Sequence, residues 1–188
     1  TGGAVSNTGM ALHRLGVDVR LMSLVGDDAI GGMIVEFLAA RDPALAKHIT
    51  VLPGVASSYT IVLSPERSDR IFLHCAGTND QFGAEYVDLD IAARAKIVHL
   101  GYPPLLPRLY SDEGGEILKI LRPLRERGVI TSLDMAMPDA HGNSGRVKWY
   151  EILRNTLPYV DIFVPSFDEI VYMKRPDDFR KYGDHPEL

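Results

Sequence analysis

The sequence predicts an α/β fold: a doubly wound, mostly parallel sheet with a small β-hairpin lid. Three observations predict it. From Ile97 onward, short apolar runs alternate with amphipathic stretches as strand, helix, strand, helix, strand. That is the pattern of a parallel sheet joined by right-handed crossovers. Between Ser58 and His74, two β-prone runs flank a polar loop, and this hairpin stands outside the alternation. The chain opens on paired glycines ahead of a helix-compatible run, Gly2-Gly3-Ala4-Val5-Ser6-Asn7-Thr8-Gly9.

In the opening helix, Val5, Thr8, Leu12 and Leu15 share one face, and Gly16 suits a left-handed C-terminal cap. Glycines at such a helix start leave free backbone N–H groups at the positive end of the dipole. No Cβ keeps a polar ligand away from them. Asn7 can offer the same ligand both a donor and an acceptor. Together these suit a polyhydroxylated molecule. They equally suit a glycine-rich turn before an ordinary core helix.

Val17 to Val25 reads as a strand. It alternates first and then turns continuously apolar at Leu21-Met22 and Leu24-Val25, as a strand buried on both faces does. Gly26-Asp27-Asp28 ends it. Asp27 or Asp28 caps the next helix, in which Ile30, Ile34, Phe37 and Leu38 share a face. A metal role for the two aspartates lacks a third ligand at metal-site spacing. Ile49 to Leu52 is a short strand, closed by the turn Pro53-Gly54. In the hairpin, Tyr59, Ile61 and Leu63 alternate with Ser58, Thr60 and Val62. Ala76-Gly77-Thr78-Asn79-Asp80 follows its second strand. A hairpin set apart in this way reads as a flap or lid, covering about residues 55–79.

Ile97 to Gly101 is the next strand, broken by Tyr102-Pro103-Pro104. A helix is predicted from Ser111 to Arg127, with Asp112, Glu113 and Glu116 near its positive end and Gly128 as its stop. Ile117, Leu121 and Leu124 form its buried stripe, and Pro123 predicts a kink or a split last turn. Val129 to Asp134 is a strand. Val147 to Leu157 is a helix with Ile152 and Leu153 buried. Val160 to Val164 is a third strand, followed by Pro165-Ser166 and a helix from Phe167. The tail from Arg175, with Pro176 and Pro186, reads as loop or frayed end. Crossovers of one hand put all the strand ends at one edge, where such sheets bind ligands. Asp27/Asp28, Asp134, and Ser166 with Glu169 are the polar residues at those ends. Ser166 and Glu169 also fit a capping box.

Composition narrows the function. The 188 residues, 46% hydrophobic and 24% charged, suffice for one domain with a substantial core. A net charge of -5 with no basic run argues against a nucleic-acid partner. No apolar run is long enough to span a bilayer and no signal peptide is visible, so no membrane partner and a cytoplasmic location are expected. The single cysteine, Cys75, has no partner for a disulfide and reads as a small buried residue on a strand. The 6 histidines show no zinc spacing, and His74 and His99 read as core or lid residues. Neither a G-x-x-x-x-G-K-[ST] phosphate loop nor a G-x-G-x-x-G after a strand occurs.

The segments GGAVSN, HRLGVDV and LVGDDAIGG together resemble the first signature of the ribokinase-like (PfkB) carbohydrate kinases. There a G-G-x-x-x-N helix start is followed by R-L-G and by a strand ending in V-G-D-D. The resemblance implies that Gly2, Gly3 and Asn7 hold the sugar. In the lid, the family's A-G-A-N segment matches Gly77 and Asn79, which would also reach it. After Pro165, the family's N-x-x-E orders magnesium-bound water and phosphate. Here Ser166 stands for that Asn, and Glu169 is retained, with Asp134 in the same network. Asp134 opens a segment that in sugar-acid kinases reads D-x-N-x-R, but here it is DMAMP, so an acidic sugar is not expected. Trp149 matches an aromatic of those relatives and is expected to pack.

By this resemblance the chain is a partial ribokinase-like domain. The family's first strand would precede Thr1, and its catalytic aspartate, in D-T-x-G-A-G-D, would lie beyond Leu188. No catalytic residue and no direct metal ligand is therefore assigned within the 188 residues, and alone they are expected to be inactive. The parent is expected to use ATP and Mg2+ to phosphorylate a hydroxyl of a sugar or related small polyol. Its alternatives are a nucleoside kinase of the same family and a non-catalytic sugar-binding or regulatory relative. A homodimer paired through the exposed lid edge is also implied.

Overall fold

The computed structural model describes residues 3–66 and 71–182. The chain divides into two compact units, Thr1–Phe82 and Gly83–Leu188.

The first unit begins with a π-helical turn, Val5–Gly9, that runs into α1 (Met10–Arg14). Gly3 has φ +82 and Gly16 φ +80, so both flanks of the helix use the left-handed region that glycine reaches freely. The buried side is not the expected stripe. Gly9 and Met10 are buried, whereas Leu15 is 79% exposed and Leu12 37%. A π-turn carries more residues per turn than an α-turn, so it rotates the later side chains away from the 3.6-residue stripe. Met10 packs with Leu21, Leu38 and Leu45, and Val5, Val19, Ile34 and Ile49 close around them.

β1 (Ser23–Gly26) is shorter than the predicted strand, because its parallel partner β2 (Ile49–Leu52) offers pairing only from Ser23↔Ile49 to Gly26↔Leu52. Leu24 and Val25 are both buried, as a strand covered on both faces requires. Asp28 caps α2 (Ala29–Ala39), whose Leu38 is buried. Phe37 instead lies at the surface, beneath the Arg41 guanidinium 3.4 Å from its ring centre. A further short helix, α3 (Pro43–Ala46), is capped by Asp42. β3 (Tyr59–Leu63) and β4 (Ile71–Cys75) form the expected antiparallel hairpin, in register Tyr59↔Cys75 to Leu63↔Ile71. All of β3 and most of β4 are exposed, so the alternation there does not sort an inner from an outer face. Thr60 Oγ1 and His74 Nδ1 bond across the strands at 2.8 Å, and Cys75 is half-buried.

The second unit starts with α4 (Leu89–Ala92), followed by β5 (Ile97–Gly101), α5 (Pro107–Tyr110), α6 (Gly115–Glu126) and β6 (Ile130–Asp134). Then come α7 (Trp149–Thr156), β7 (Ile162–Val164), α8 (Phe167–Lys174) and α9 (Pro176–Tyr182). The strands form one parallel sheet in the order β5-β6-β7. α6 starts at Gly115 rather than Ser111, because Asp112 and Glu113 sit at φ +47 and +50 and cannot continue a right-handed helix. Only Glu116 of the three acids lies in its first turn. Pro123 does not split the helix. It removes one bond to the Lys119 carbonyl, and this falls in the last turn, where the helix is about to end. Ile117, Ile120, Leu121 and Leu124 are buried with Leu133, Trp149, Ile152 and Leu153. Trp149 packs as expected, edge-on to Tyr110, and donates Nε1–H to the Ser144 carbonyl at 2.8 Å. The tail contradicts its expectation through Tyr182. Pro176 stands at the first position of α9, where its missing N–H costs nothing, and Asp177 and Asp178 favour that helix start.

Candidate functional site

The parallel register aligns three strand ends: Gly101 beside Asp134, and Asp134 beside Val164. Polar residues therefore gather at the carboxyl edge of this sheet, as the topology dictates. The Asp134 Oδ1 accepts the N–H of Met135 at 2.8 Å. Ser166 caps α8 with a full capping box: Ser166 Oγ accepts the Glu169 N–H at 3.3 Å, and Glu169 Oε2 accepts the Ser166 N–H at 2.7 Å. Each carboxylate thus keeps one oxygen, Asp134 Oδ2 and Glu169 Oε1, that accepts no hydrogen bond among the described residues.

Tyr102 belongs to the same edge, and the sequence reading missed it. Its N–H donates to the Asp134 carbonyl at 3.1 Å. Burial pushes its phenol above the ordinary tyrosine range, and the charges of Asp134 and Glu169 push it further. Asp134, Ser166 and Glu169, the residues expected to handle phosphate and magnesium, therefore lie with Tyr102 at the carboxyl edge of the β5-β6-β7 sheet. Tyr102 also holds φ +61, a conformation that costs a non-glycine residue free energy and concentrates at functional positions. The signal in sequence was the break Gly101-Tyr102-Pro103-Pro104 directly after a strand.

In the first unit, Gly2 lies outside the described residues. Among the described residues, no heavy atom lies within 4 Å of where a Cβ on Gly3 would stand. Asn7 lies in the π-turn with its side chain exposed. Such turns recur at functional positions. Gly77 opens a short 3-10 turn, Gly77–Asp80. Its φ is +50, and a Cβ there would fall against the Ser57 carbonyl group, 2.8 Å from its carbon and oxygen, so close packing already requires glycine. Asn79 is half-buried in that turn. No hydrogen bond among the described residues joins Asn7 to Gly77 or Asn79.

The V-G-D-D strand end performs a task beyond helix capping. Asp28 Oδ1 accepts the Gly31 N–H at 2.8 Å and the Ser57 hydroxyl at 2.6 Å, while Oδ2 accepts the Ser57 N–H at 2.8 Å. The Ser57 hydroxyl in turn accepts the Gly26 N–H at 2.9 Å. These bonds, the Ser57 hydroxyl foremost, hold the Asp28 carboxyl below the usual carboxylate range. Gly26 and Gly31 are glycines by necessity. A Cβ on Gly26 would lie 2.7 Å from the Ser57 nitrogen, and one on Gly31 2.8 Å from its hydroxyl oxygen. Among the described residues, no group of three His, Cys, Asp or Glu is arranged to hold a metal ion. No helix among them is long and apolar enough to cross a membrane.

Comparison with known proteins gives a consistent answer. An uncharacterized sugar kinase of Archaeoglobus fulgidus is 25% identical over 171 residues, 91% of this chain and 62% of the relative. The crystal structure of an uncharacterized sugar kinase from Pyrococcus horikoshii superposes with a TM-score of 0.74 at 21% identity, over 93% of this chain and 56% of that one. The Arabidopsis thaliana ribokinase, solved in complex with ribose and ATP, superposes with a TM-score of 0.67 at 18% identity, over 92% of this chain and 51% of that one. The fold is thus the ribokinase-like α/β fold, and the chain spans between half and two thirds of the length of these relatives. Residues 1–181 match the pfkB family carbohydrate kinases throughout, and the chain belongs to that family.

Proposed function

We propose that the protein transfers the terminal phosphoryl group of ATP to a hydroxyl of a sugar or related small polyol. The observation that carries this reading is the strand-end pair Asp134 and Glu169, each with one carboxylate oxygen that accepts no hydrogen bond among the described residues. Phosphoryl transfer is mainly positioning and charge compensation around phosphates and a divalent ion. Magnesium favours carboxylate oxygen, phosphate oxygen and retained water, so two such carboxylates fit it. When bound, the ion would neutralise charge on the phosphates, while Glu169 and Asp134 orient its waters. Gly3, Asn7, Gly77 and Asn79, with Gly2, are proposed to hold the acceptor's hydroxyls. The ribose and ATP in the plant ribokinase complex support these ligand classes.

The 188 residues contain no D-T-x-G-A-G-D segment, so no general base is assigned among them, and by themselves they are expected to phosphorylate nothing. The hairpin is proposed as a lid, about residues 55–79. Its exposed Ile61, Phe72 and Leu73 suit pairing with a second copy. The test is a panel of sugars, polyols and nucleosides with ATP and magnesium, applied to the complete protein. Turnover of a sugar or polyol supports the proposal, turnover of nucleosides alone replaces it with the nucleoside-kinase branch, and no turnover refutes it. Ser166 in place of the family's asparagine favours a second reading, a sugar-binding relative without catalysis. Calorimetry would then show sugar binding with no phosphoryl transfer.

A further inference from the structure

Among the described residues, the hairpin is a two-stranded ribbon with little packed against it. Both of its strands are largely exposed, and they pack chiefly against each other. What fixes it are its two ends. Ser57 precedes β3 and is 1% exposed, and Thr78 follows β4 and is 0% exposed. Both are bound to one small region, the end of β1 and the turn into α2. Asp28 grips Ser57 by hydroxyl and N–H, at 2.6 and 2.8 Å. Thr78 donates its hydroxyl to the Leu24 carbonyl at 3.3 Å and accepts the Ser58 N–H at 3.4 Å, so it also ties one end of the hairpin to the other. Gly26, Gly31 and Gly77 surround these bonds at distances that leave no room for a side chain.

We propose that Asp28, Ser57 and Thr78 form a latch that sets the position of the hairpin, and that Asp28 is a positioning residue for whatever the hairpin covers. A two-stranded ribbon without a packed face has little stability of its own. Its orientation must therefore come from its anchors, and here both anchors are buried hydrogen-bonded side chains. One end is held by an ionised acceptor, the stronger kind of hydrogen bond. The arm of this proposal that concerns turnover rests on the kinase reading. The arm that concerns the hairpin does not.

Asp28→Asn separates the latch from the helix cap. The remaining carbonyl oxygen still accepts the Gly31 N–H and the Ser57 hydroxyl, but the new amide places a donor against the Ser57 N–H. Hydrogen exchange in the complete protein is expected to quicken about three- to tenfold at residues 59–63 and 71–75, the effect of one or two lost hydrogen bonds. Asp42→Asn, at the cap of α3, serves as control and leaves those amides unchanged. Unchanged hairpin exchange in folded Asp28→Asn overturns the proposal. Should that variant not fold, Ser57→Ala and Thr78→Val, which leave the α2 cap intact, decide by the same readout. If the kinase reading also holds, Asp28→Asn raises the acceptor KM and the fraction of ATP lost to water, because a loosened cover admits solvent. Faster exchange without any kinase activity would leave the latch standing and remove only the kinase reading.

Discussion

Two groups of carboxylates at strand ends carry different loads. In the first unit, Asp28 accepts three hydrogen bonds from its own protein, from Gly31 and twice from Ser57. In the second, Asp134 and Glu169 each accept one, from Met135 and Ser166. Asp134 is the last residue of β6, while Asp28 and Glu169 follow β1 and β7. A carboxylate with both oxygens bonded has committed most of its acceptor capacity to structure, whereas one that keeps an oxygen open can still meet a cation or a water. The difference teaches that an acid at the edge of an α/β sheet is not by itself a site. The number of donors already aimed at it separates a fastener from a binding group.

The largest expected effect tests the fastener. Gly31→Ala would bring a methyl group within 2.8 Å of the Ser57 hydroxyl, beside the Gly26 backbone, and should destabilise the protein by about 3 kcal/mol in urea unfolding. Gly32→Ala, one residue on in α2, meets nothing within 4 Å and should stabilise by about 0.5–1 kcal/mol. If both behaved alike, the tight packing around Ser57 would not be what demands glycine.

The open carboxylates should show the reverse profile. Asp134→Asn and Glu169→Gln in the complete protein are each expected to lower kcat by about 10²-fold with stability changed by less than about 1 kcal/mol, since each leaves a neutral group able to accept the same backbone N–H. Asp28→Asn should instead alter hairpin exchange and KM. Steady-state kinetics set beside denaturation would expose any mixing of the two profiles.

Acid should test the Asp28 bonds a second way. The Asp28 pKa lies below its usual 3.8 because of the Ser57 hydroxyl and then the Gly31 and Ser57 N–H groups. Asp161 is lowered likewise, chiefly by the Thr131 N–H. A carboxylate lowered in the fold stabilises it fully above the unfolded pKa, and that contribution is lost as pH falls through the folded one. Wild-type hairpin exchange, corrected for intrinsic rates, should therefore quicken below about pH 4, while Asp28→Asn is already fast and shows no such step.

Much of this was legible beforehand for identifiable reasons. The strands Ile49–Leu52 and Ile97–Gly101 were read to the residue, because apolar runs ended by Pro or Gly mark pairing limits directly. The capping box at Ser166 and Glu169 was legible because it is local. The first helix face was not, since a π-turn leaves no mark on an apolar pattern. Nor was the start of α6, where Asp112 and Glu113 adopt positive φ without a glycine. The Asp28–Ser57 bonds span 29 residues, and no spacing rule connects a strand end to a hairpin that far on. Tyr102 was visible only as a strand breaker, because its tie to Asp134 depends on the register of two strands.

The smallest expected effect concerns Ser166, where both roles meet in one residue. Its hydroxyl caps α8, and it stands where the resemblance places an asparagine. Asparagine and serine cap helices about equally well, so Ser166→Asn should leave stability within about 0.5 kcal/mol. The carboxamide reaches further than a hydroxymethyl group and adds two N–H donors toward phosphate or bound water. If the edge of β5, β6 and β7 handles phosphate and magnesium, the variant should lower the magnesium concentration for half-maximal rate about fivefold, roughly one hydrogen bond's worth. A titration of rate against magnesium that does not move would leave Ser166 as a cap alone. The ligand role would then rest on Asp134 and Glu169.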